Sequence, residues 1–263
     1  MISDEDPLLK IDPESVKKRI VSEIRNYFSK HNLKNSIIGL SGGVDSSLTA
    51  FLLVESLGPE RVKALILPSN ITSEEDINDA KRIASILKID YTVISITPIV
   101  EAFKNALNVN DKIAIGNIMA RTRMIILYNE ARQQKGLVVG TGNKTELMVG
   151  YFTKYGDGGV DILPIGDLYK TQVWALAEYA GVPQRIIKKV PTAGLWIGQT
   201  DEGELGIKYR LLDRILVRLI DYKMTYEEIM KEVNVEREII DKVSMMVKNS
   251  EHKRQLPYII KIK

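Results

Sequence analysis

The stretch Ser41-Gly42-Gly43-Val44-Asp45-Ser46-Ser47 decides how this chain folds. It follows an apolar run at residues 36–40 and precedes apolar residues at helical spacing, residues 48–53. This order predicts a strand, a tight glycine turn and a helix. Glycines let backbone N–H groups approach an anion, and a helix start adds unpaired N–H groups and a positive dipole end. The stretch therefore predicts a nucleotide phosphate site, to which the three serine hydroxyls would add donors.

Two common phosphate-binding patterns do not occur here. The Walker pattern G-x-x-x-x-G-K-[ST] is absent from the sequence, and G-x-G-x-x-G is missing from this turn. The pattern S-G-G-x-D-S instead resembles the pyrophosphate loop of the ATP pyrophosphatases. That resemblance implies ATP binding, transfer of AMP to a carbonyl or carboxylate oxygen, and pyrophosphate held on the loop. The plain alternative is a Ser/Gly turn that joins two packed elements.

Composition limits the class of protein. The chain has 263 residues, 44% of them hydrophobic and 27% charged, which is ordinary for one globular domain with a large core. The net charge of +3 gives no argument for a nucleic acid or a membrane as a partner. No cysteine is present, which excludes disulfides, thiolate metal sites and a cysteine nucleophile within this sequence.

Location is predicted from the absence of two signals. No apolar run reaches the roughly 18 residues of a membrane-spanning helix. The acidic start, Met1-Ile2-Ser3-Asp4-Glu5-Asp6, is unlike a signal peptide. A cytoplasmic protein is therefore expected.

Strand and helix patterns alternate along the first two thirds of the chain. Strands are predicted at residues 36–40, 62–67, 91–95 and 137–140, and helices at 13–31, 74–87, 110–134 and 169–180. This alternation predicts an α/β fold, doubly wound, with a mostly parallel sheet and helices on both faces. Further helices at 207–222, 225–233 and 235–247 predict a helical C-terminal extension. We expect one domain over 1–263, with a nucleotide-binding core at about 12–190 and a flap and helical part at about 191–263.

Polar residues near the predicted strand ends suggest a cation site. Ligands of parallel sheets bind at the carboxyl ends of the strands, where Asp45 lies. A second polar turn, residues 140–146, follows the fourth strand and carries Glu146. Asp45 and Glu146 would suit a hard cation such as Mg²⁺, which accepts one or two carboxylates together with phosphate oxygens.

The predicted long helix carries polar residues on an otherwise apolar pattern. Asn117 and Arg121 are four residues apart and share a face, whereas Arg123 points away from Arg121. A polar pair of this kind needs a partner when it is buried. A salt bridge to a neighbouring helix is the plain interpretation, and a ligand contact is the alternative.

Two glycine-rich segments and a basic cluster follow. Residues 150–161 combine four glycines with aromatic and charged residues, which is typical of a binding loop or of a surface excursion. Residues 191–206 are predicted to form a mobile flap that orders over a ligand. The cluster at residues 252–257 is either a solvated tail or a contact for an anionic substrate.

Together these segments resemble the ammonia-dependent NAD⁺ synthetases over nearly the whole chain. The string at residues 151–159 is far more specific than the first loop, which a wider superfamily shares. The resemblance implies a two-step reaction. The nicotinate carboxylate of deamido-NAD⁺ attacks the α-phosphorus of ATP, which gives an acyl-adenylate and pyrophosphate. Ammonia then displaces AMP and leaves the amide of NAD⁺.

The resemblance also implies roles for individual residues. ATP would be bound by Ser41, Gly42, Gly43, Val44, Asp45, Ser46, Ser47, Leu48, Thr141, Lys170 and Thr192. Deamido-NAD⁺ would be bound by Arg121, Lys154, Asp161, His252 and Lys253. Mg²⁺ would be held by Asp45 and Glu146. The residues implied in catalysis are Asp45, Lys170, Thr192 and Asp157, the last lying near the incoming ammonia and accepting a proton from ammonium.

The same resemblance implies a homodimer with the nicotinate dinucleotide site at the subunit interface. Free ammonia is the expected nitrogen donor, because relatives that use glutamine carry an amidase domain with a cysteine nucleophile. A separate glutaminase partner stays open. Alternatives on the same fold are a GMP synthetase ATPase subunit or a tRNA-modifying enzyme, although a tRNA modifier should show a basic stripe. A non-catalytic nucleotide sensor is the alternative from another class.

Overall fold

The computed structural model, which describes residues 6–262, has a parallel four-stranded sheet at its centre. Its strands are β1 (Asn35–Gly39), β2 (Val62–Ile66), β3 (Asp90–Val93) and β4 (Gly136–Val139), in the spatial order β3-β2-β1-β4. In the register, Ile37 lies opposite Lys63 on one side and Val138 on the other. The α/β fold class with a mostly parallel sheet is confirmed.

Strands β1, β2 and β4 carry buried side chains, whereas β3 at the edge of the sheet is exposed. Along β1 and β4, Ile37 and Val138 pack into one core, whereas Ile38 and Val139 pack into another. All four side chains are buried. Side chains of a strand alternate between the two faces, so a strand covered on both sides reads as a continuous apolar run. This explains why the strands were recognisable as unbroken apolar stretches.

Helices cover the two faces and continue beyond them. They are α1 (Pro13–Lys30), α2 (Val44–Leu57), α3 (Glu74–Leu87), α4 (Thr97–Leu107), α5 (Lys112–Gln134), α6 (Lys144–Val149), α7 (Lys170–Ala180), α8 (Gln184–Ile187), α9 (Asp201–Leu205), α10 (Tyr209–Leu216), α11 (Tyr226–Val233) and α12 (Arg237–Asn249). Helices α1, α2, α3 and α7 share the first core, and α4 and α5 share the second. This is the doubly wound arrangement that the sequence predicts.

The C-terminal helices form a third apolar core. Side chains of α10, α11 and α12 pack there against Val149 of α6 and Tyr169, which precedes α7. Asp6 joins this part of the chain through a buried ion pair with Arg218, whose Nη1 lies 2.7 Å from Asp6 Oδ2. The helical extension is therefore packed directly on the elements that follow β4.

Most predicted boundaries are confirmed, and several short helices were not predicted. Asp12 and Asp111 accept hydrogen bonds at the starts of α1 and α5, as capping residues should. Helices α6 and α9 lie in segments predicted as a polar turn and a flap, and α4 and α8 lie in segments for which the sequence analysis predicts no element. The helix expected over 207–222 is α-helical only from Tyr209 to Leu216 and continues as a π-helical turn, Val217–Asp221.

Two further predictions concern membrane-spanning helices and the acidic start of the chain. Over residues 6–262, no helix is long and apolar enough to span a membrane. The acidic start at residues 1–5 lies outside the described residues. The division of the chain at about residue 190 and the cytoplasmic location stay predictions.

The Asp6–Arg218 pair generates a stability prediction. Replacing Arg218 by Met leaves the buried Asp6 carboxylate without its main partner, so the free energy of unfolding should fall by about 3 kcal/mol. Arg237, whose pair with Glu227 is exposed, is the matched control, and Arg237→Met should cost less than about 1 kcal/mol. Denaturant titration measures both values, and equal losses would contradict the assigned role of burial.

Candidate active site

The turn after β1 presents a helix N-terminus to an open cleft. Gly42 has φ of +81°, and a Cβ built on it would lie 2.5 Å from the Asp76 carbonyl oxygen. Only glycine fits this combination of left-handed backbone and close approach. Gly43 precedes α2, and no side chain among the described residues caps the N–H groups of that helix start. These N–H groups and the positive end of the helix dipole favour an anion in the cleft.

The serine hydroxyls mainly brace this turn. Ser46 Oγ donates to the Gly43 carbonyl at 3.2 Å and lies 3.0 Å from Ser41 Oγ. Ser47 Oγ donates to the same carbonyl at 2.7 Å and is fully buried. Leu48 is buried in the core beneath α2, whereas Ser41 and Val44 line the cleft. The predicted stretch therefore acts partly through its backbone and partly as a rigid support.

A lysine joins the two candidate metal ligands. Lys170 Nζ lies 2.6 Å from Asp45 Oδ2 and 3.5 Å from Glu146 Oε1, and the lysine is only 2% exposed. Burial disfavours the charged lysine, but the charges of Asp45 and Glu146 outweigh it and raise the Lys170 pKa. Burial also raises the pKa of Glu146, to about 8, although the charge of Lys170 acts in the opposite direction. The sequence-predicted Asp45, Glu146 and Lys170 are thus brought together.

Buried polar groups fix the position of this cluster. Asn143 donates from Nδ2 to Asp45 Oδ1 at 2.9 Å and forms a reciprocal capping pair with Glu146 at the start of α6. Asp213 of α10 accepts from Thr145 Oγ1 at 2.6 Å and from the backbone N–H of Thr171 at 2.8 Å. Helices α6 and α7, which carry Glu146 and Lys170, are therefore held to each other by a carboxylate from the C-terminal part.

Asp201 is a third carboxylate at this end of the cleft. Its Oδ2 accepts from Tyr209 Oη at 3.0 Å, and Lys170 Nζ lies 5.2 Å from the centre of the Tyr209 ring. The other oxygen, Oδ1, is buried and has no hydrogen-bond partner within residues 6–262. Burial raises the pKa of Asp201. The cluster therefore holds more carboxylates than the single lysine neutralises.

The donor set of this cluster suits a hard cation. Carboxylate oxygens are the ligands Mg²⁺ prefers, and the unpartnered Asp201 oxygen marks unused ligand capacity. Across residues 6–262, no three His, Cys, Asp or Glu side chains are grouped closely enough to hold a metal by themselves. A cation at Asp45 and Glu146 would need phosphate oxygens or water to complete its shell.

Four of the five predicted dinucleotide contacts form one connected group. The Arg121 guanidinium donates to the Lys154 carbonyl at 3.2 Å, and Lys154 Nζ donates to the His252 carbonyl at 2.7 Å. Lys253 Nζ donates to the carbonyls of Gly150 and Phe152 at 2.7 and 2.8 Å. Arg254 next to it donates to the carbonyls of residues 147, 148 and 247. Lys253 and Arg254 thus pack against this part of the chain, whereas the other residues of the basic cluster are exposed.

Asp161 lies apart from this group. Its Oδ1 accepts from Tyr128 Oη at 3.1 Å and its Oδ2 from the Val138 backbone N–H at 2.8 Å. Asp161 and this group both contact α5. Asp161 does so through Tyr128, which lies further along the helix than Arg121.

The polar face of α5 behaves as its spacing predicts. Asn117 Oδ1 accepts from Thr153 Oγ1 at 2.7 Å, and Arg121 contacts the next residue of the same loop. Arg123 points elsewhere and donates to the Leu67 carbonyl at the end of β2. The partner of the Asn117–Arg121 pair is the glycine-rich loop, so the expectation of a salt bridge to a helix is wrong.

Asp157 lines the same cleft as Asp45, Glu146 and Lys170. Its carboxylate accepts from the Thr153 backbone N–H at 2.9 Å. The side chain is exposed to the cleft, but protein atoms surround it on most sides, and this desolvation raises its pKa. The Thr153 N–H and the charges of Lys253 and Arg123 act in the opposite direction. A carboxylate with a raised pKa is suited to accept a proton.

The cleft lined by Asp45, Glu146, Lys170 and Asp157 has a volume of about 360 Å³, within the usual range of ligand sites. The five predicted dinucleotide contacts are not among its lining residues. Thr141 lines it after β4, and Thr192 lines it from the flap segment. Sequence reasoning missed other lining residues, including Arg123, Tyr151, Lys189 and Asp201. Tyr151 and Asp201 do lie within the two glycine-rich segments, so their segments were recognised while the residues were not.

Comparisons with known proteins agree on one family. A model described as NAD synthase matches residues 16–257. An NH₃-dependent NAD⁺ synthetase of Pyrococcus furiosus is 47% identical over 91% of this chain and 93% of its own length. The structure is similar to NMN synthetase from Francisella tularensis, with 36% identity, a TM-score of 0.85, and coverage of 95% of this chain and 99% of the other. An NH₃-dependent NAD synthetase from Campylobacter jejuni, solved with a nitrate ion, has 29% identity, a TM-score of 0.82, and coverage of 96% and 100%.

The turn geometry predicts unequal effects at two adjacent glycines. In Gly42→Ala the new Cβ would meet the Asp76 carbonyl at 2.5 Å on a left-handed backbone, so we expect a loss of about 1–3 kcal/mol in unfolding free energy. Gly43 has φ of −89°, and a Cβ there would meet only Ser41 Oγ at 3.4 Å. Gly43→Ala should therefore cost less than about 1 kcal/mol. Thermal unfolding compares the two, and equal stabilities would refute the assigned strain.

Proposed function

We propose a reaction for this chain from one premise: the chain belongs to the NAD synthase family. The reaction is the ATP-dependent amidation of deamido-NAD⁺ to NAD⁺ with ammonia, the last step of NAD⁺ biosynthesis. Support comes from curated relatives named NH₃-dependent NAD⁺ synthetases, which match nearly their full length. The observation that carries the proposal is a single cleft with a phosphate-binding turn at one end, a basic group nearby, and Asp157 facing it.

In the first step, an oxygen of the nicotinate carboxylate bonds to the α-phosphorus of ATP. The bond from that phosphorus to the bridging oxygen breaks, and pyrophosphate leaves. We propose that the N–H groups at the start of α2 hold the leaving pyrophosphate, and that Thr192, exposed on the flap, contacts it. Lys170, which is paired with Asp45, would supply positive charge to the neighbouring phosphate oxygens. Catalysis of this step is mainly positioning and charge stabilisation.

In the second step, ammonia attacks the acyl carbon and AMP leaves with the bonding electrons. Ammonia must be unprotonated to attack, so a nearby group has to accept a proton from ammonium. Asp157 is the proposed acceptor, because its raised pKa and exposure to the cleft suit that role. Arg121, Lys154 and Lys253 would hold the dinucleotide on the glycine-rich loop beside it, with Asp161 and His252 at its margin.

The proposed cation is Mg²⁺ with Asp45 and Glu146 as its protein ligands. When bound, it would neutralise charge on the phosphate oxygens. Lys170 pairs with both of these carboxylates and holds them in place.

Product analysis tests this proposal. With ATP, Mg²⁺ and deamido-NAD⁺, ammonium should yield equal amounts of AMP, pyrophosphate and NAD⁺, and glutamine should yield no NAD⁺. Asp45→Ala should lower turnover by orders of magnitude, whereas a nucleotide sensor would have no turnover to lose. AMP release without NAD⁺ would overturn the ammonia step, and no AMP under any condition would overturn the whole assignment.

A second acyl substrate is favoured by one observation, the similarity to an NMN synthetase structure at 36% identity. Nicotinate mononucleotide carries the same reacting carboxylate without the adenylate half. Competition between the two substrates at equal concentration distinguishes them. Preferred formation of NAD⁺ supports the main proposal, and preferred formation of NMN would replace it.

We also propose a homodimer, supported by an exposed apolar surface. Ile99, Phe103 and Leu107 recur every four residues along α4, and Leu107 is 60% exposed. The adjoining α5 exposes Ile113 and Ile125. Contiguous exposed apolar side chains of this kind typically mark protein–protein contact sites.

Charge substitution tests the dimer. Phe103→Glu with Leu107→Glu should shift the mass by light scattering from about twice 29.6 kDa to 29.6 kDa. Met245→Glu on α12, which is also exposed, is the control and should leave the mass unchanged. A monomeric wild-type protein, or a dimer that survives the double substitution, would contradict the assignment of this surface.

A further inference from the structure

Lys189 lies at the base of the flap segment and lines the active-site cleft. It follows α8 and precedes Pro191, where the flap segment begins. The cleft lining includes Lys189 together with Ser41, Gly43 and Thr192. Its side chain is 25% exposed, so it is open to the cleft.

The Lys189 ammonium is held beside the phosphate turn by two carboxylates of α3. It pairs with Asp76 and with Asp79, whose Oδ2 lies 3.2 Å away. Asp76 in turn lies against the turn itself, because its carbonyl oxygen is 2.5 Å from the ideal Cβ position of Gly42. A long, flexible lysine side chain at this point needs only a change of rotamer to point into the cleft.

Both carboxylates keep other partners when Lys189 leaves. Asp79 is also bound by Arg185, with Nε 3.0 Å from Oδ1, and Asp79 is 2% exposed. Asp76 also accepts from Ser73 Oγ at 2.6 Å, at the start of α3. Removal of one cation therefore strands neither buried charge, which is the usual cost of breaking such a pair. The pairing of Asp76 and Asp79 with other groups therefore does not depend on Lys189.

The cationic side chains along the cleft differ in how firmly their present partners hold them. Among the described residues, those that line it are Arg123, Lys170 and Lys189. Lys170 is enclosed between Asp45 and Glu146, and Arg123 donates to the Leu67 carbonyl. Lys189 differs from both, because its partners Asp76 and Asp79 each keep another partner when Lys189 leaves. A polyphosphate carries several negative charges and binds most strongly through charge-assisted hydrogen bonds.

We infer that Lys189 is a further phosphate-binding residue, whose ammonium moves from Asp76 and Asp79 to the polyphosphate of the bound nucleotide or to pyrophosphate. The inference rests on the proposed function, since it takes ATP as the substrate. ATP and the α3 carboxylates then compete for one ammonium group.

Calorimetry with α,β-methylene-ATP and, separately, with pyrophosphate tests the inference. Lys189→Met should weaken binding of both probes by about tenfold, and Lys189→Arg should restore part of the affinity. Arg185→Met is the matched control: it removes a cation from Asp79, one of the two carboxylates that hold Lys189, but Arg185 does not line the cleft, so affinity should stay at the wild-type value. In turnover assays, Lys189→Met should raise KM for ATP and leave KM for deamido-NAD⁺ unchanged.

The outcomes separate this inference from the proposed function. Unchanged affinity in Lys189→Met overturns the inference while wild-type binding upholds the nucleotide site. Equal weakening in Lys189→Met and Arg185→Met also overturns it, because the ion-pair cluster would then act only through the fold. Failure of the wild-type protein to bind either probe overturns the proposed function itself. Thermal unfolding of each variant shows that the comparison is made between folded proteins.

Discussion

The Lys170 ammonium between the carboxylates of Asp45 and Glu146 is the interaction on which the site depends. The three residues come from α7, α2 and α6, so one buried cation joins elements on either side of β4 in the chain. Buried charges are stable only when they are paired and hydrogen-bonded. The arrangement therefore requires the surrounding network, in which Asn143 and Thr145 fix α6 and Asp213 fixes the start of α7. Geometry at the cleft and packing of the C-terminal helices are set by the same contacts.

The fold was largely predictable because its signals are local. Strands buried on both faces appear as apolar runs, and Asp12 and Asp111 mark the starts of two helices. Helix α4 was missed although Pro98 and the four-residue spacing of Ile99, Phe103 and Leu107 indicate a helix. Most of its apolar face is exposed in the structure, whereas Val100 is buried, so the apolar spacing does not mark a core helix here. The short α6 and α9 are held by tertiary contacts, which sequence periodicity cannot reveal.

The candidate site was predictable where a motif carried it and hidden where contacts between distant segments created it. Asp45 and Glu146 were suggested by their positions after strand ends, and Lys170 by family resemblance. Asn117 and Arg121 were placed on one face by spacing alone. Asp201 and Lys189 could not be assigned from sequence. Asp201 becomes notable only because burial leaves one of its oxygens without a partner, and Lys189 only because α3 faces the cleft. Asn143 gave no signal, since a capping residue is common and its contact with Asp45 spans 98 positions.

The Arg254 and Lys253 contacts have a consequence for how the molecule is made. These side chains bind carbonyl groups at residues 147, 148, 150 and 152, and so hold the glycine-rich loop from the far end of the sequence. The phosphate turn and its supporting strands, by contrast, come from the first two thirds of the chain. During translation the two halves of the cleft therefore mature at different times. A growing chain acquires its phosphate turn early, but the loop that faces it gains its final support only after synthesis has passed Arg254.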